Sequence, residues 1–400
     1  MTESARLIPD CRVSVAGKKL DIGVDARLTR VIIDLDGDLF GKCTLVLHDP
    51  QLVLINGTQF TSGAAVKVEL GFAAGLVKVF EGEVVALEPQ FRRDVPTSLH
   101  VVCLESIHRL ALSSMTRSFN DVDDKEIAGK IAKEHGLTAS APSGSKQHVL
   151  QANVSDASFL RKLAQKHSHT LRIVGKKLIV GPPPKGGDVA IAPGDGLVKL
   201  RVRMSALSQV GEVTVHGWDA KTKKEIVGKA KPEGEAGEGA RKFGKGRSLA
   251  IAGHEGTPLD VASAESMAKG RLRKMSEGFV VAHGQMIGDP RVVPGAILNL
   301  DKIGAKIDGG YRVDQALHEF SRHGYSIKFK GTRVSKKSTS AKASDKAQKR
   351  QVKAAQAAEE TRLQATRPPA AKPDKAAQAQ AQAMKDAAKS GAPLAEVCAA

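Results

Sequence analysis

Apolar and polar residues alternate along most of the first hundred residues. Every second residue is apolar in Val31–Leu35 and in Val66–Leu70, which is the period of a half-buried β-strand. Comparable segments occur at Lys78–Val85 and Leu99–Leu104, and glycine and proline residues separate the segments. Short strands at this regular spacing predict a first β-barrel domain over residues 1–114.

The period of the apolar residues changes in residues 115–187. Isoleucine and alanine recur every four residues within Lys125–His135, which predicts a helix that ends at Gly136. Ser155 is suited to cap the N-terminus of a second helix. A pair of short strands over residues 170–180 completes the pattern, so this segment is predicted to be a small α+β insert domain.

Alternation returns in residues 188–334, which are predicted to form a second β-barrel domain. One helix is predicted over residues 260–277, where alanine, leucine and methionine share one stripe. Residues 228–256 are rich in glycine and charge, and we expect a long loop there. The predicted fold class is therefore mainly β, with two barrels on either side of an α+β insert.

The strand predicted over residues 198–204 has a basic outer face. Its apolar residues alternate with three cations, Lys199, Arg201 and Arg203. These side chains would line a channel, contact an acidic partner or simply face solvent, and the sequence leaves all three alternatives open.

The chain is basic, and part of the positive charge lies in a C-terminal tail. Lys and Arg number 61 and Asp and Glu number 43, which gives a formal net charge of +18. Residues 335–400 are rich in alanine, lysine and glutamine and contain almost no large apolar side chains. Because such a segment buries too little apolar surface to fold alone, we expect a disordered or partly helical tail, either an adaptor or a solubilising extension.

Composition excludes several classes of protein. No apolar stretch has the length of a membrane span and no secretory signal is readable, so we expect synthesis in the bacterial cytoplasm and no stable membrane insertion. The four cysteines, Cys11, Cys43, Cys103 and Cys398, are isolated, which argues against a disulfide framework or a zinc site. Aromatic residues make up 4% of the chain and no nucleic-acid-binding motif is present, so no specific nucleic-acid partner is expected.

The candidate catalytic motifs do not fit their surroundings. Gly239–Gly246 has the spacing of a phosphate-binding loop but lacks the Ser or Thr that holds magnesium. His318 and His323 are five residues apart, which would place them on different faces of a helix. The adjacent carboxylates Asp123 and Asp124 precede a predicted helix, where its dipole accounts for them. We therefore expect no enzyme, and no catalytic, cofactor-binding or metal-binding residues.

Four segments resemble motifs of one protein family. They are the helix Ser155–Ala164, the strand Val213–Trp218 with its basic turn, the Gly-Asp-Pro and Pro-Gly pairs of Ile287–Gly295, and the hairpin residues Gly310–Ser326. Together and in this order they resemble the phage late-control-D family, the tail hub proteins related to the N-terminal part of VgrG spikes. The resemblance covers about residues 13–332. The C-terminal tail of this chain does not match the family, and the sequence shows no sign of the spike domain that complete VgrG chains carry.

The resemblance implies a structural function. Hubs of this family are homotrimers in the baseplate of contractile phage tails or phage-tail-like injection systems, and each chain has two tube-type β-barrel domains. Three chains would present six such domains to the sixfold tail tube and a threefold end to the spike. The implied partners are further copies of the chain, the tail tube protein, a separate trimeric spike protein and other baseplate proteins, within a virion tail or tail-like particle.

Two other functions stay open at this point. An effector-bearing or cell-wall-degrading spike component would need a catalytic constellation, and a basic nucleic-acid-binding protein would bind DNA in a salt-dependent way. The particle itself could be a phage, a tailocin or an extracellular injection system, and its spike partner and target cell are not encoded in these motifs.

Overall fold

The computed structural model describes residues 8–335 and Gln382, apart from gaps at residues 38–39, 73–74, 94, 168, 185, 220–221, 234–236 and 253–259. The tail predicted over residues 335–400 lies outside the described residues except for Ser335 and Gln382. None of the helices in the described part of the chain combines the length and the apolar character that crossing a bilayer requires.

The first β region contains seven strands and one short helix. Its elements are β1 (Pro9–Val15), β2 (Lys18–Lys19), α1 (Ile22–Asp25), β3 (Leu28–Asp36), β4 (Lys42–His48), β5 (Ala65–Phe72), β6 (Gly75–Arg92) and β7 (Val95–Leu104). The alternation places one side of each strand in an apolar core, so that Val31, Ile33 and Leu35 of β3 are buried. β6 is much longer than the predicted segment Lys78–Val85, because it continues as a hairpin with β7.

The α+β insert follows β7. Its elements are a 3-10 helix (Ser106–Ala111), β8 (Ser114–Val122), α2 (Asp124–Glu134), β9 (Thr138–Ser140), β10 (Gln147–Ser155), α3 (Asp156–Lys166), β11 (Thr170–Val174) and β12 (Lys177–Gly181). Asp123 forms a capping box with Glu126 at the start of α2, Gly136 adopts a φ of 68° after it, and Ser155 accepts a hydrogen bond from the Ser158 amide in α3. The two helices bury their apolar stripes in a core of the insert's own, which confirms both predicted helices.

Six strands of the second β region close into a barrel. The elements of the region are β13 (Asp188–Pro193), β14 (Gly196–Met204), β15 (Glu212–Asp219), β16 (Lys224–Ala230), α4 (Glu238–Phe243), β17 (Ser248–Ala252), α5 (Val261–Glu277), β18 (Val280–Ile287), β19 (Ile297–Leu300), β20 (Gly309–Ser321) and β21 (Gly324–Ser335). The hydrogen-bonded order is β13-β14-β18-β21-β20-β19, and β19 pairs with β13 to close the ring. The mainly β fold class with an α+β insert is thereby confirmed.

Three strands of the second region lie outside this barrel. β16, β15 and β17 form a separate sheet, and α5 packs on it over a small apolar core. The interpretation of residues 228–256 as one long loop is therefore wrong, because they include the end of β16, all of α4 and β17. Gly228 approaches α5 so closely that a Cβ atom there would lie 2.2 Å from the carbonyl carbon of Ala264. This glycine reflects tight packing rather than a loop.

The basic face predicted for β14 is confirmed, with one correction. The three cations of that face, Lys199, Arg201 and Arg203, are exposed. Leu200 and Val202 pack against the barrel core. Val198 is 65% exposed instead of half-buried, because a β-bulge between Leu197 and Lys199 interrupts the alternation.

The two β regions have the same strand order. The first region follows β3-β4-β7-β6-β5-β1, and the second follows β14-β18-β21-β20-β19-β13. These orders leave out β2 in the first region and the separate sheet of β15, β16 and β17 in the second. If the six remaining strands of each region are numbered along the chain, both orders read second, third, sixth, fifth, fourth, first. The regions differ at the last pair, which is antiparallel between β1 and β5 and parallel between β13 and β19. The chain therefore contains an internal structural repeat.

Candidate assembly surface

Eight strands from both regions form one continuous antiparallel sheet. Their hydrogen-bonded order is β14-β18-β21-β20-β3-β4-β7-β6, and each neighbouring pair is antiparallel. One side of this sheet packs on an apolar core that the two regions share. We call the opposite side the open face, which comprises the residues of these eight strands that point away from that core.

The charges on the open face are segregated. Its residues on β14, β18 and β21 include six basic side chains and no carboxylate: Lys199, Arg201, Arg203, His283, Lys328 and Lys330. Cations and carboxylates are mixed on the other strands, as at Arg30, Asp34, Lys42 and Glu88. The positive charge is thus concentrated at the β14 end of the sheet.

The joint between β20 and β3 connects the two regions. Gln315–Ser321 pair with Arg30–Asp36 in an uninterrupted antiparallel ladder. On the open face, Arg30 Nε donates a hydrogen bond to Glu319 Oε1 at 2.8 Å. Because this ion pair is exposed, it contributes at most about 1 kcal/mol, and the backbone ladder and the shared apolar core account for most of the stability of the joint.

The outermost strands of the sheet each have a free edge. β14 pairs with β13 only through its first two residues, so residues 198–204 have no strand partner on that side within the described part of the chain. β6 pairs with β5 only over Gly75–Glu83, and among the described residues its segment 85–92 likewise has β7 as its one strand partner. Both edges carry exposed apolar side chains, Val198 at 65% and Phe91 at 66%. Such edges present unpaired backbone groups to which a further strand can add.

His318 holds the loop between β18 and β19 in place. It is fully buried, its Nε2 lies 2.8 Å from the Val292 carbonyl oxygen, and its Nδ1 lies 2.7 Å from the Tyr325 hydroxyl. A carbonyl oxygen can only accept, so Nε2 carries the proton and Nδ1 accepts from the tyrosine. Burial lowers the pKa of His318 to about 4, and the ring is neutral at physiological pH.

An ion-pair network connects α5 to the barrel. Arg312 on β20 donates hydrogen bonds to both carboxylate oxygens of Glu277, at 2.8 and 2.9 Å, and Arg273 donates a further one. Burial by itself raises the pKa of Glu277, but the hydrogen bonds from the two arginines outweigh burial and lower the pKa. The carboxylate therefore remains ionised and holds the end of the helix against β20.

The residues of the candidate catalytic motifs lie in a helix, a turn and the core rather than in a common site. Gly239–Gly246 covers most of α4 and the turn after it, and the strand β17 follows instead of the helix that a phosphate-binding loop requires. His323 lies in the turn between β20 and β21, whereas His318 is in the core. Across the described ranges, no group of three or more His, Cys, Asp or Glu side chains is placed to hold a metal ion.

The free edge of β6 was missed in the sequence. In Leu87–Arg92 apolar residues alternate with Glu88, Gln90 and Arg92, and this period could have extended the predicted strand. The apolar position between Glu88 and Gln90 is Pro89, which argues against a central strand but is tolerated at an edge. The basic row on β14 was found because its alternation is regular.

Comparison with solved structures shows the fold of phage tail proteins. The 43 kDa tail protein of prophage MuSo2 from Shewanella oneidensis matches with a TM-score of 0.61 and 16% identity, over 81% of this chain and 98% of that one. A tail protein from Neisseria meningitidis matches with a TM-score of 0.57 and 14% identity, over 81% and 96%. The prophage tail protein gp18 from Listeria monocytogenes gives 0.52 and 12%, over 82% and 95%.

The sequence was compared with curated proteins and with models of protein families, and one family model matches. No curated protein sequence matches the chain. The family model described as the Alg8 N-terminal domain matches residues 12–322, which is more than three quarters of the chain and includes seven of the eight strands of the continuous sheet, all but β21. The chain therefore belongs to the family of the Alg8 N-terminal domain.

Proposed function

We propose that this chain is a structural baseplate hub of a contractile phage tail or phage-tail-like injection system, and that it acts as a homotrimer without catalytic activity. The observation that carries the proposal is the antiparallel sheet of eight strands with a free edge at each end. The shared fold with phage and prophage tail proteins supports it. The resemblance to late-control-D proteins adds further support. Two of the segments that carry it, Ile287–Gly295 and Gly310–Ser326, are in contact, since the buried His318 donates a hydrogen bond to the Val292 carbonyl oxygen.

The size of the sheet suits a tube. Three copies would contribute three times eight strands, and strands lie about 4.8 Å apart, so a closed ring of untilted strands would have a circumference of about 115 Å and a diameter of about 37 Å between backbones, and strand tilt would increase both. The shared core lies on one side of the sheet, which leaves the open face to line the pore. The basic residues of β14, β18 and β21 would then face the lumen.

The repeat within the chain accounts for the proposed symmetry. Each chain supplies two regions of identical strand order, so three chains would present six similar units to a sixfold tail tube. We propose domain limits at residues 1–114, 115–187 and 188–334. In this proposal the partners are the tail tube protein, a separate trimeric spike protein and other baseplate proteins, and the hub is a component of a virion tail or tail-like particle.

Electron microscopy of the purified full chain tests this proposal. We expect ring-shaped particles with threefold symmetry and a central pore, and monomeric particles at all concentrations would contradict it. A charge-reversal variant of the basic row should impair ring assembly or cargo passage: Lys199→Glu with Arg201→Glu and Arg203→Glu. A matched control reverses three exposed cations of the outlying β15–β16 hairpin and should form normal rings: Lys223→Glu, Lys224→Glu and Lys229→Glu.

The basic half of the open face favours one alternative function. Six basic side chains without a carboxylate among them would bind a nucleic-acid backbone by counterion release. Salt-dependent binding of DNA by monomeric chains at physiological ionic strength would favour this alternative over the hub. Rings that do not bind DNA under those conditions would exclude it.

A further inference from the structure

The internal repeat specifies how one copy of the chain would contact the next. We propose that β6 of one copy pairs with β14 of a second copy, in the register that β20 and β3 adopt within a single chain. This inference rests on the proposed homotrimeric hub and adds to it the interface and its register.

The repeat makes these strands equivalent in pairs. β6 holds the place in the first region that β20 holds in the second, and β3 holds the place of β14. Within one chain the second region is joined to the first through β20 and β3. The strands equivalent to these two, β6 and β14, are the outermost strands of the eight and have the free edges. The same joint can therefore form a second time, between two chains.

Two features fix the register of this second joint. In both hairpins the last two paired residues are three positions apart in the sequence, since Ser321 pairs with Gly324 and Arg92 pairs with Val95. Ser321 and Arg92 are therefore equivalent, and counting back from them makes Gln315–Ser321 equivalent to Ala86–Arg92.

A β-bulge aligns the other strand of the joint. It interrupts the pairing of β3 with β4 between Leu28 and Arg30, and the pairing of β14 with β18 between Leu197 and Lys199. The bulges make Arg30 equivalent to Lys199. Because Arg30 pairs with Ser321 within the chain, Lys199 is expected opposite Arg92 of the neighbouring copy.

The register brings complementary side chains together. Transferred from the intrachain joint, it places Glu88 opposite Arg203 and Gln90 opposite Arg201 on the open face. It also places Phe91 opposite Leu200 on the core side, where Phe91 is 66% exposed in the single chain. Opposite charges and apolar pairs across strands each stabilise a sheet.

One further apolar pair fits this arrangement, and one ladder bond is lost: Pro89 would lie opposite Val202 and has no backbone N–H to donate. Leu87 would lie opposite Met204, which is 46% exposed in the single chain, so a second apolar contact becomes covered. Arg92 and Lys199 have like charge, but both are exposed, and Arg92 lies at the tip of the β6–β7 hairpin, where solvent and salt screen the repulsion.

The direction of the strands selects a ring rather than a two-fold dimer. Since an even number of strands alternates in direction, β6 runs antiparallel to β14. Copies related by rotation about one axis therefore continue the antiparallel ladder from chain to chain, and such head-to-tail contacts close into a ring. A two-fold dimer would instead pair β14 with β14, which would bring three cations on each chain together.

Disulfide cross-linking of the full chain tests the register. In a Cys398→Ser background, Gln90→Cys is combined with Arg201→Cys, whose Cβ atoms would lie about 5 Å apart across the joint. The control combines Gln90→Cys with Ser205→Cys, which lies four residues beyond Arg201, directly after the end of β14, and about 13 Å from Arg201. We expect about tenfold more cross-linked dimer and trimer for the first pair, because a disulfide requires Cβ atoms about 4 Å apart.

Each outcome of the cross-linking is decisive. Equal cross-linking of both pairs, or cross-linking of Arg201→Cys alone, would overturn the inference, since the latter indicates a two-fold dimer. Light scattering of the reduced samples distinguishes a failure of the proposed register from a failure of the proposed homotrimeric hub. Trimers whose Gln90–Arg201 cysteine pair does not cross-link would overturn the register and leave the hub intact, whereas monomers would overturn both.

A charge exchange provides an independent readout. Glu88→Arg alone and Arg203→Glu alone should each lower the concentration-dependent fraction of trimer. The two combined should restore at least part of this fraction, because the opposite charges face each other again. Additive losses in the combined variant would contradict the contact between Glu88 and Arg203.

Discussion

The buried histidine of β20 gives a quantitative relation between stability and pH. The pKa of His318 is about 4 in the folded chain and 6.5 for an unperturbed histidine. Because the folded-state pKa is depressed, the unfolded state binds more protons between these values, and stability falls as the pH falls through this window. The full shift corresponds to about 3 kcal/mol, of which about 2 kcal/mol is lost between pH 7 and pH 5.

Replacing the histidine by glutamine isolates this contribution. His318→Gln removes the titrating ring and leaves an amide that can donate to Val292, so the variant loses packing at every pH but no longer loses stability through histidine protonation. We expect the stability difference between wild type and variant to shrink by about 2 kcal/mol from pH 7 to pH 5. Urea unfolding followed by circular dichroism, in half-unit steps of pH, measures this difference.

The difference in stability between wild type and His318→Gln does not depend on the other titrating groups, because their contributions cancel. Carboxylates with lowered pKa, such as Glu83 and Asp156, also reduce stability at low pH, but they are common to both proteins. His48→Gln, at an exposed position of β4, is the control and should follow the wild-type profile. Parallel stability curves for wild type and His318→Gln between pH 7 and pH 5 would refute the reasoning.

Three further substitutions or reactions test the packing around the sheet. Gly288→Ala places a Cβ atom 2.0 Å from the ring of Tyr325, and we expect urea unfolding to show a loss of about 2 kcal/mol; an unchanged midpoint would contradict this close contact. Glu277→Gln removes the charge that the two arginines share, and thermal unfolding should show a loss of about 2 kcal/mol, whereas wild-type stability would mean that the network contributes nothing. Cys43 and Cys103 are fully buried, and burial raises the pKa of Cys103 to about 12, so a thiol reagent should label them only on unfolding when the other cysteines are replaced by serine. Labelling of either in the folded chain would show that the core is open.

Local patterns predicted most of the elements. The alternation in Val31–Leu35 depends only on which residues face the core, and Asp123 and Ser155 form the helix caps expected of their side chains. Such signals are local, since a strand face or a cap involves residues within a few positions. The basic row on β14 was predictable for the same reason.

Long-range pairing was beyond these patterns. The joint between β20 and β3 connects residues 315–321 with residues 30–36, and no periodicity of either strand identifies its partner. The structural repeat likewise depends on strand order, which the sequence of side chains does not display. Gly228 signalled a loop although it serves close packing against α5, because a glycine gives the same local signal in both situations.

The native mass of the full chain tests the central claim most directly. Light scattering over a concentration series and at two salt concentrations should give a trimer of three times 42.3 kDa. A monomer at every concentration, unaffected by salt, would contradict the account of a ring closed through the free edges of β6 and β14.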